Sequence, residues 1–443
     1  MKTPICDFVK KYSESNALKL HMPGHKGKIF LGFENLDITE IDGADSLYEA
    51  SGIIAESEAC ASELFGCSTY YSTEGSSQCI KAMMQLISLY AQENGEKPYI
   101  LAGRNAHKAF HSAVALLDID VDWIYPENKD NYLSCNISAE RLSKIIKNSS
   151  KKPTAVYLTS PDYLGNVIDI MSISKICHEN DILLAIDNAH GAYLRFLEKS
   201  QHPIDLGADI CCDSAHKTLP VLTGGAYLHL GERLNAKFNA KSVKDAMLLF
   251  GSTSPSYIIL QSLDMANLYL ENYSEKLCEF VFCVDLLKKQ LIENGYELYG
   301  DEKIKITIRT KKYGYIGYDF AKILNEKGIV CEFCDPDFVV LMLTPEIEEL
   351  SRIGEIMISI PKLEAIQDSM PIFNVLEKCL SIREAVLSPS ISLPVEQCLG
   401  RVVAMTSVGC PPAVPIAVAG EIIDETAIEC LKYYNIDRCN VVI

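Results

Sequence analysis

Residues 208–225 read ADICCDSAHKTLPVLTGG, and Lys217 stands at the centre of that stretch. The apolar run 208–212 predicts a buried strand, followed by a polar turn, 213–218, and a segment punctuated by Pro220, Gly224 and Gly225. A lysine immediately past a buried strand sits where α/β proteins place reactive groups, at the carboxyl ends of strands. Ser214, His216 and Thr218 surround it with donors suited to an anion. Most lysines in turns are only solvated, so the segments upstream decide what Lys217 does.

Those segments alternate. Strands are predicted at 69–72, 99–102, 121–125, 155–159 and 182–186, with helices between them. The alternation implies a mainly parallel, doubly wound sheet in an α/β domain. After the first strand, Gly75, Ser76 and Ser77 open a helix whose residues Ile80, Met83, Met84, Ile87 and Tyr90 keep 3.6-residue spacing. Free backbone N–H groups and the dipole at such a helix start form an anion site, and a plain serine cap fits the same residues. The strand 99–102 runs into Gly103-Arg104-Asn105-Ala106-His107-Lys108, which puts His107 on the rim of strand ends if it is not a core histidine. The strand 182–186 runs into Asp187-Asn188-Ala189-His190-Gly191. A carboxylate at the end of a buried strand is costly unless paired. A protonated ring nitrogen would justify it, and so would an ordinary buried ion pair. An amine beside an anion site, with that carboxylate near, suits a phosphate-bearing aldehyde that joins Lys217 as a Schiff base.

Beyond residue 255 the pattern changes. A long helical stretch, 258–294, is expected to break near Asn272. A strand at 304–310, a helix at 317–326, strands at 329–333 and 338–343 and a helix at 347–360 make a small α+β unit. The tail is rich in proline and glycine before a last helix at 425–434. The organisation expected is an N-terminal arm (1–54), a major domain (55–270), a small α+β domain (271–370) and a loop-rich C-terminal segment that completes the active site (371–443).

With 443 residues, 48% of them hydrophobic, the chain can bury a substantial core. Its formal charge of −18 argues against a nucleic-acid partner, and no apolar run reaches the length of a membrane span. Seventeen cysteines without regular spacing, and a start with no signal-peptide core, point to the cytosol. Metal is not expected. The cluster His21, His25 and Lys26 reads as a structured loop, and Cys331 and Cys334 read as strand cysteines.

Taken together, these segments resemble the Orn/Lys/Arg decarboxylase family of fold-type-I pyridoxal-phosphate enzymes, in the shorter form without a receiver-like leading domain. The resemblance spans nearly the whole chain. It rests on His21-Met22-Pro23-Gly24-His25-Lys26-Gly27, Asp45-Ser46-Leu47, Gly75-Ser76-Ser77, Arg104-Asn105-Ala106-His107-Lys108 and Asp187-Asn188-Ala189-His190-Gly191. It continues through Ser214-Ala215-His216-Lys217, Ser252-Thr253-Ser254-Pro255-Ser256-Tyr257, Pro411-Pro412-Ala413-Val414-Pro415 and Gly420-Glu421.

The resemblance implies pyridoxal 5'-phosphate bound by Lys217, with Asp187 pairing to the ring nitrogen, His107 stacked on the ring and His190 near it. It places Gly75, Ser76, Ser77, Ser214 and His216 around the phosphate, and names Lys217, Asp187, His107 and His216 as the catalytic group. It sends Ser252 and Thr253 into the neighbouring subunit's site, and so implies a homodimer. Glu421 is the carboxylate expected to meet a basic substrate's distal cation, and its other reading is an acid at a helix start; Asp45 is the next carboxylate to consider. The reaction implied is decarboxylation of arginine, lysine or ornithine, with arginine ahead. An aminotransferase or lyase on the same fold, or a homologue without turnover, are the other readings. Asn188 stands where relatives usually carry Glu, Gly224-Gly225 replaces a more usual pair, and Ala419 replaces Pro. These departures bear on substrate choice.

Overall fold

Each strand of the leading alternation forms. In chain order they are β1 (Ser68–Ser72), β2 (Tyr99–Gly103), β3 (Asp120–Ile124), β4 (Ala155–Thr159), β5 (Leu183–Asp187), β6 (Ile210–Asp213) and β7 (Ala226–Leu230). This computed structural model describes residues 1–127, 131–367, 370–405 and 412–443. By its contacts the chain parts into two units, Met1–Glu96 with Ile170–Leu277, and Lys97–Asp169 with Cys278–Ile443. The units therefore interleave along the chain, whereas the division expected from sequence ran in blocks. Strand pairing sets contacts, and a crossover connection can carry the chain out of one unit and back.

In the first unit the strands lie in the order β1-β7-β6-β5. The β5–β6 pair is parallel, and β7 runs antiparallel to both β6 and β1. β5, β6 and β7 are buried at every residue, which is why Leu183-Leu184-Ala185-Ile186 and Ile210-Cys211-Cys212 read as continuous apolar runs. The helix Ser76–Glu93 follows β1 and buries Ile80, Met83, Met84 and Ile87, the face its periodicity predicted. The long helical stretch is two helices, Tyr257–Leu270 and Tyr273–Glu293, interrupted at 271–272 as expected.

In the second unit β2 pairs in parallel with both β3 and β4. A small antiparallel sheet follows, from β8 (Leu298–Tyr299), β9 (Lys305–Arg309), β10 (Phe333–Cys334) and β11 (Phe338–Met342), in the order β10-β11-β9-β8. The strand expected at 329–333 shortens to β10. The tail departs further from expectation, because it is more than loops. β12 (Ser390–Pro394), β13 (Val403–Met405) and β14 (Arg438–Val442) make a third sheet, in the order β12-β14-β13. Its core holds Val395, Cys398, Val403, Ile423, Leu431 and Val441. Strands this short and this far apart in the chain leave little local periodicity to detect.

Candidate active site

Two strand ends in the first unit carry the site. β5 ends in Asp187, which is 2% exposed, and the chain turns through Asn188 to His190. β6 ends in Asp213 and passes through Ser214 into the short helix Ala215–Thr218, which holds Lys217. The segments are neighbours because β5 and β6 pair side by side, Asp187 opposite Cys212. Lys217 Nζ lies 3.0 Å from His190 Nε2, so the ammonium can donate to the imidazole. Ser214 Oγ donates to Ser76 Oγ at 2.8 Å. The second strand-end turn thereby meets the start of the helix Ser76–Glu93.

That helix begins after Gly75, whose φ is +72°, and Gly75 N–H donates to Gly224 O at 2.7 Å. Gly224 has φ +101°, and a Cβ there would stand 2.9 Å from Thr73 O, so the turn admits only glycine. His216 is held by the same turn. Its Nδ1 lies 2.9 Å from Gly225 O, which sets Nδ1 as the protonated nitrogen. Gly75, Ser76 and Ser77 are half-buried at the helix start. Ser252 N–H donates to Glu74 Oε1 at 2.6 Å, and Ser252 and Thr253 are exposed. The first unit thus brings together Lys217, His190, Ser214, Ser76, Gly75 and His216. Asp187 accepts from Ala189 N–H at 3.2 Å, on the same two strand ends.

Beneath these residues lies a buried charge cluster that sequence reasoning passed over. Asp213 is fully buried; its Oδ1 accepts from Asn188 Nδ2 at 2.6 Å, and its Oδ2 faces Nε2 of His202 at 3.2 Å and of His229 at 3.1 Å. Burial alone would raise the Asp213 carboxyl. The facing imidazoles of His202 and His229 and their hydrogen bonds hold it well below the usual carboxylate range. Burial pushes His229 down, toward the neutral form. Ligand atoms of His202, Cys211 and Asp213 lie within 4.8 Å of one another, the spacing of a metal site, and the nitrogen and carboxylate atoms are already hydrogen-bonded to each other. The cost of a buried carboxylate, which singled out Asp187, applied equally to Asp213.

The second unit holds His107 and Glu421. His107 caps the helix Lys108–Leu117, its Nδ1 accepting from Ala109 N–H at 3.1 Å. The loop after β2 is fastened to the chain's tail. Arg104 donates to Pro415 O at 3.0 Å, Ile416 O at 2.9 Å and Glu421 Oε2 at 3.1 Å, and Lys108 N–H donates to Ala413 O. This corrects the reading of Glu421 as a helix-start acid, since the last helix begins only at Glu425. Its carboxylate is 4% exposed, meets a cation of its own chain and also accepts from Val418 N–H, while the cap of the last helix, Glu425–Tyr433, is Asp424. Asp45 is likewise committed. Its carboxylate accepts the N–H groups of Ser46, Ser51, Gly52, Ile54 and Ala55 at the start of the helix Ile53–Phe65. Pro411, the first proline of the tail motif, lies outside the described residues.

With this geometry in view, residues 3–301 match the model of the Orn/Lys/Arg decarboxylase family's major domain. The chain belongs to that family. It is an enzyme, an amino-acid decarboxylase. An arginine decarboxylase of Bacillus subtilis (strain 168) is 26% identical to it, over 98% of this chain and 94% of the relative. An arginine decarboxylase of Halalkalibacterium halodurans is 27% identical over the same shares. Among solved structures, the Francisella novicida lysine decarboxylase superposes with a TM-score of 0.82 at 17% identity, over 100% of this chain and 81% of that one. At that identity the likeness shows the fold, which is fold-type-I, with its mostly parallel sheet and smaller antiparallel-sheet domain. No helix of this decarboxylase, among the described residues, is long and apolar enough to cross a membrane.

Proposed function

We propose that the protein is a pyridoxal-phosphate-dependent decarboxylase of a basic amino acid, arginine first, acting as a cytosolic homodimer. The observation that carries this reading is Lys217 Nζ, 3.0 Å from His190 Nε2, one turn past the Ser214–Ser76 hydroxyl pair. The donor set fits the cofactor. An amine, two serine hydroxyls at the start of an eighteen-residue helix and a buried strand-end carboxylate match an aldehyde, a phosphate and a ring nitrogen. When bound, pyridoxal phosphate supplies the conjugated sink for the electron pair left at Cα as carbon dioxide departs.

The chain's own residues do the rest. Lys217 binds the cofactor through Nζ and later delivers a proton to Cα, and His190 Nε2 accepts from Nζ and holds it in place. The carboxylate of Asp187 keeps the ring nitrogen protonated. Ser76, Ser77, Ser214 and His216 hold the phosphate, and the helix dipole favours its charge. His107 orients the ring by stacking. Arginine leads among substrates because relatives named arginine decarboxylase align from end to end with this chain.

The dimer draws support from the arm before the main domain. Leu18, Leu20, Met22, Ile29, Phe30 and Leu31 are all exposed there, a run of apolar surface that a second copy would cover. Ser252 and Thr253, also exposed, would reach that copy's site. For the cytosol, every described cysteine is free of a disulfide.

The test is to incubate the purified protein with arginine, lysine and ornithine in turn, following carbon dioxide and the amine product. Release of both, fastest with arginine, is expected. Transfer of the amino group to a keto acid without carbon dioxide would overturn the reading in favour of an aminotransferase.

A further inference from the structure

We propose that Asp213 and Asn188 are a matched pair of positioning residues that lock the two strand-end segments, 187–190 and 213–217, to each other. The proposal rests on the reading of Lys217 as the cofactor lysine. It assigns a role to two residues that this reading leaves without one.

Asn188 directly follows Asp187, and Asp213 directly precedes Ser214, so each is the first residue beside a group the site needs. Their side chains meet at 2.6 Å, and Asn188 N–H also donates to Cys212 O at 3.0 Å. Both residues are fully buried. The sense of the contact is fixed. Asp213 Oδ1 accepts, so the NH₂ end of the amide must face it, and a carboxylate at 188 would set two like charges against each other. The other oxygen of Asp213 is anchored from two further places, His202 in the loop before β6 and His229 on β7. Asp213 is thus a three-way tie at the base of the Lys217 turn, and Asn188 extends it to the turn that carries His190. Three buried hydrogen bonds converge on this one carboxylate, and bonds shielded from water to this depth rigidify what they join. The Lys217–His190 contact needs such support, because a reactive constellation tolerates displacements of only about 0.5 Å.

The experiment begins with the wild-type protein, reduced with borohydride in the presence of pyridoxal phosphate and mapped for label on Lys217. Absence of that label brings down the cofactor reading itself. With the label present, N188D, D213N and the double swap N188D/D213N are compared for pyridoxal-phosphate affinity by spectroscopic titration, and for kcat. Each single variant should weaken cofactor binding and lower kcat by about tenfold or more, the effect of one mispaired buried group. The swap restores donor against acceptor: the amide introduced at position 213 still offers an oxygen to both imidazoles, and its NH₂ faces the carboxylate introduced at position 188. It should return both quantities to within about threefold of wild type, as coupling between contacting residues allows. A residue with a merely structural role would lower the melting temperature and leave cofactor affinity unmoved. The proposal falls if both singles stay within about twofold of wild type, or if the swap is no better than the worse single. It falls equally if the purified protein carries about one metal ion per chain that D213N loses, since the cluster would then be a metal centre. Should D213N fail to fold, N188D and the swap decide.

Discussion

Strand-end turns in both units carry groups proposed for the site, and those of the two units are held in opposite ways. In the first unit the turns after β5 and β6 are fastened to each other, over a separation of 25 residues, by Asn188 and Asp213. In the second unit the turn after β2, which leads to His107, is fastened by the tail, more than 300 residues away, through Arg104. The first arrangement uses side chains directly beside the residues proposed for the chemistry. The second uses a guanidinium that reads two backbone carbonyls and one buried carboxylate, a task suited to the planar fork of arginine. A perturbation of the first should therefore strike rate and cofactor, and a perturbation of the second should strike stability before rate.

The largest effect expected is that of Lys217→Ala. Turnover should fall by about 10²–10⁴ or more and the borohydride label should vanish, with circular dichroism unchanged. A label that survives on another lysine would break the assignment. Asp187→Asn comes next. Bound cofactor should remain, while kcat drops by several kcal/mol of barrier, about 1.36 of them per factor of ten. Near-normal turnover in that variant would refute the role of the carboxylate.

On the other side of the comparison, Arg104→Met leaves Glu421 buried without its cation. A loss of about 3–5 kcal/mol in denaturant unfolding is expected, largely recovered in the double variant Arg104→Met/Glu421→Leu. Glu421→Gln should cost roughly 1–3 kcal/mol of stability and leave KM for the basic substrate unchanged. A strongly raised KM with an unaltered melting temperature would return substrate recognition to Glu421 and erase the distinction drawn here.

The smallest effect concerns pH. Burial raises the Asp335 carboxyl to about 7, against the opposing backbone N–H groups of Asp337 and Phe338. Between the ordinary carboxylate value, about 4, and about 7 the folded chain holds a proton that the unfolded chain has released, so stability falls as pH rises through that window. Asp335→Asn keeps the acceptor oxygen and removes the charge. Its melting temperature should gain more over wild type at pH 8 than at pH 5, with kcat unmoved.

The elements of the α/β alternation were legible because a buried parallel strand is a continuous apolar run, and a packed helix repeats its apolar face every 3.6 residues. Lys217, Asp187, His190 and Ser76 were legible for the same reason: each lies within a few residues of a strand end that local pattern locates. The break at 271–272 was also foreseen. The tail's sheet was not, since β12 pairs with β14 across more than 40 residues and neither strand alternates strongly.

The sequence by itself determined the α/β character, the strand-end address of Lys217 and the ordered motifs of the family. Those properties follow from backbone periodicity and from residues adjacent in the chain. Tertiary structure alone decided what the buried charges do. Glu421 looked available until folding set Arg104 against it, and Asp213 looked like one turn residue among several until His202, His229 and Asn188 converged on it. A carboxylate's partner is chosen by which groups lose their water together, and that choice is made across distances in the chain that no local pattern spans.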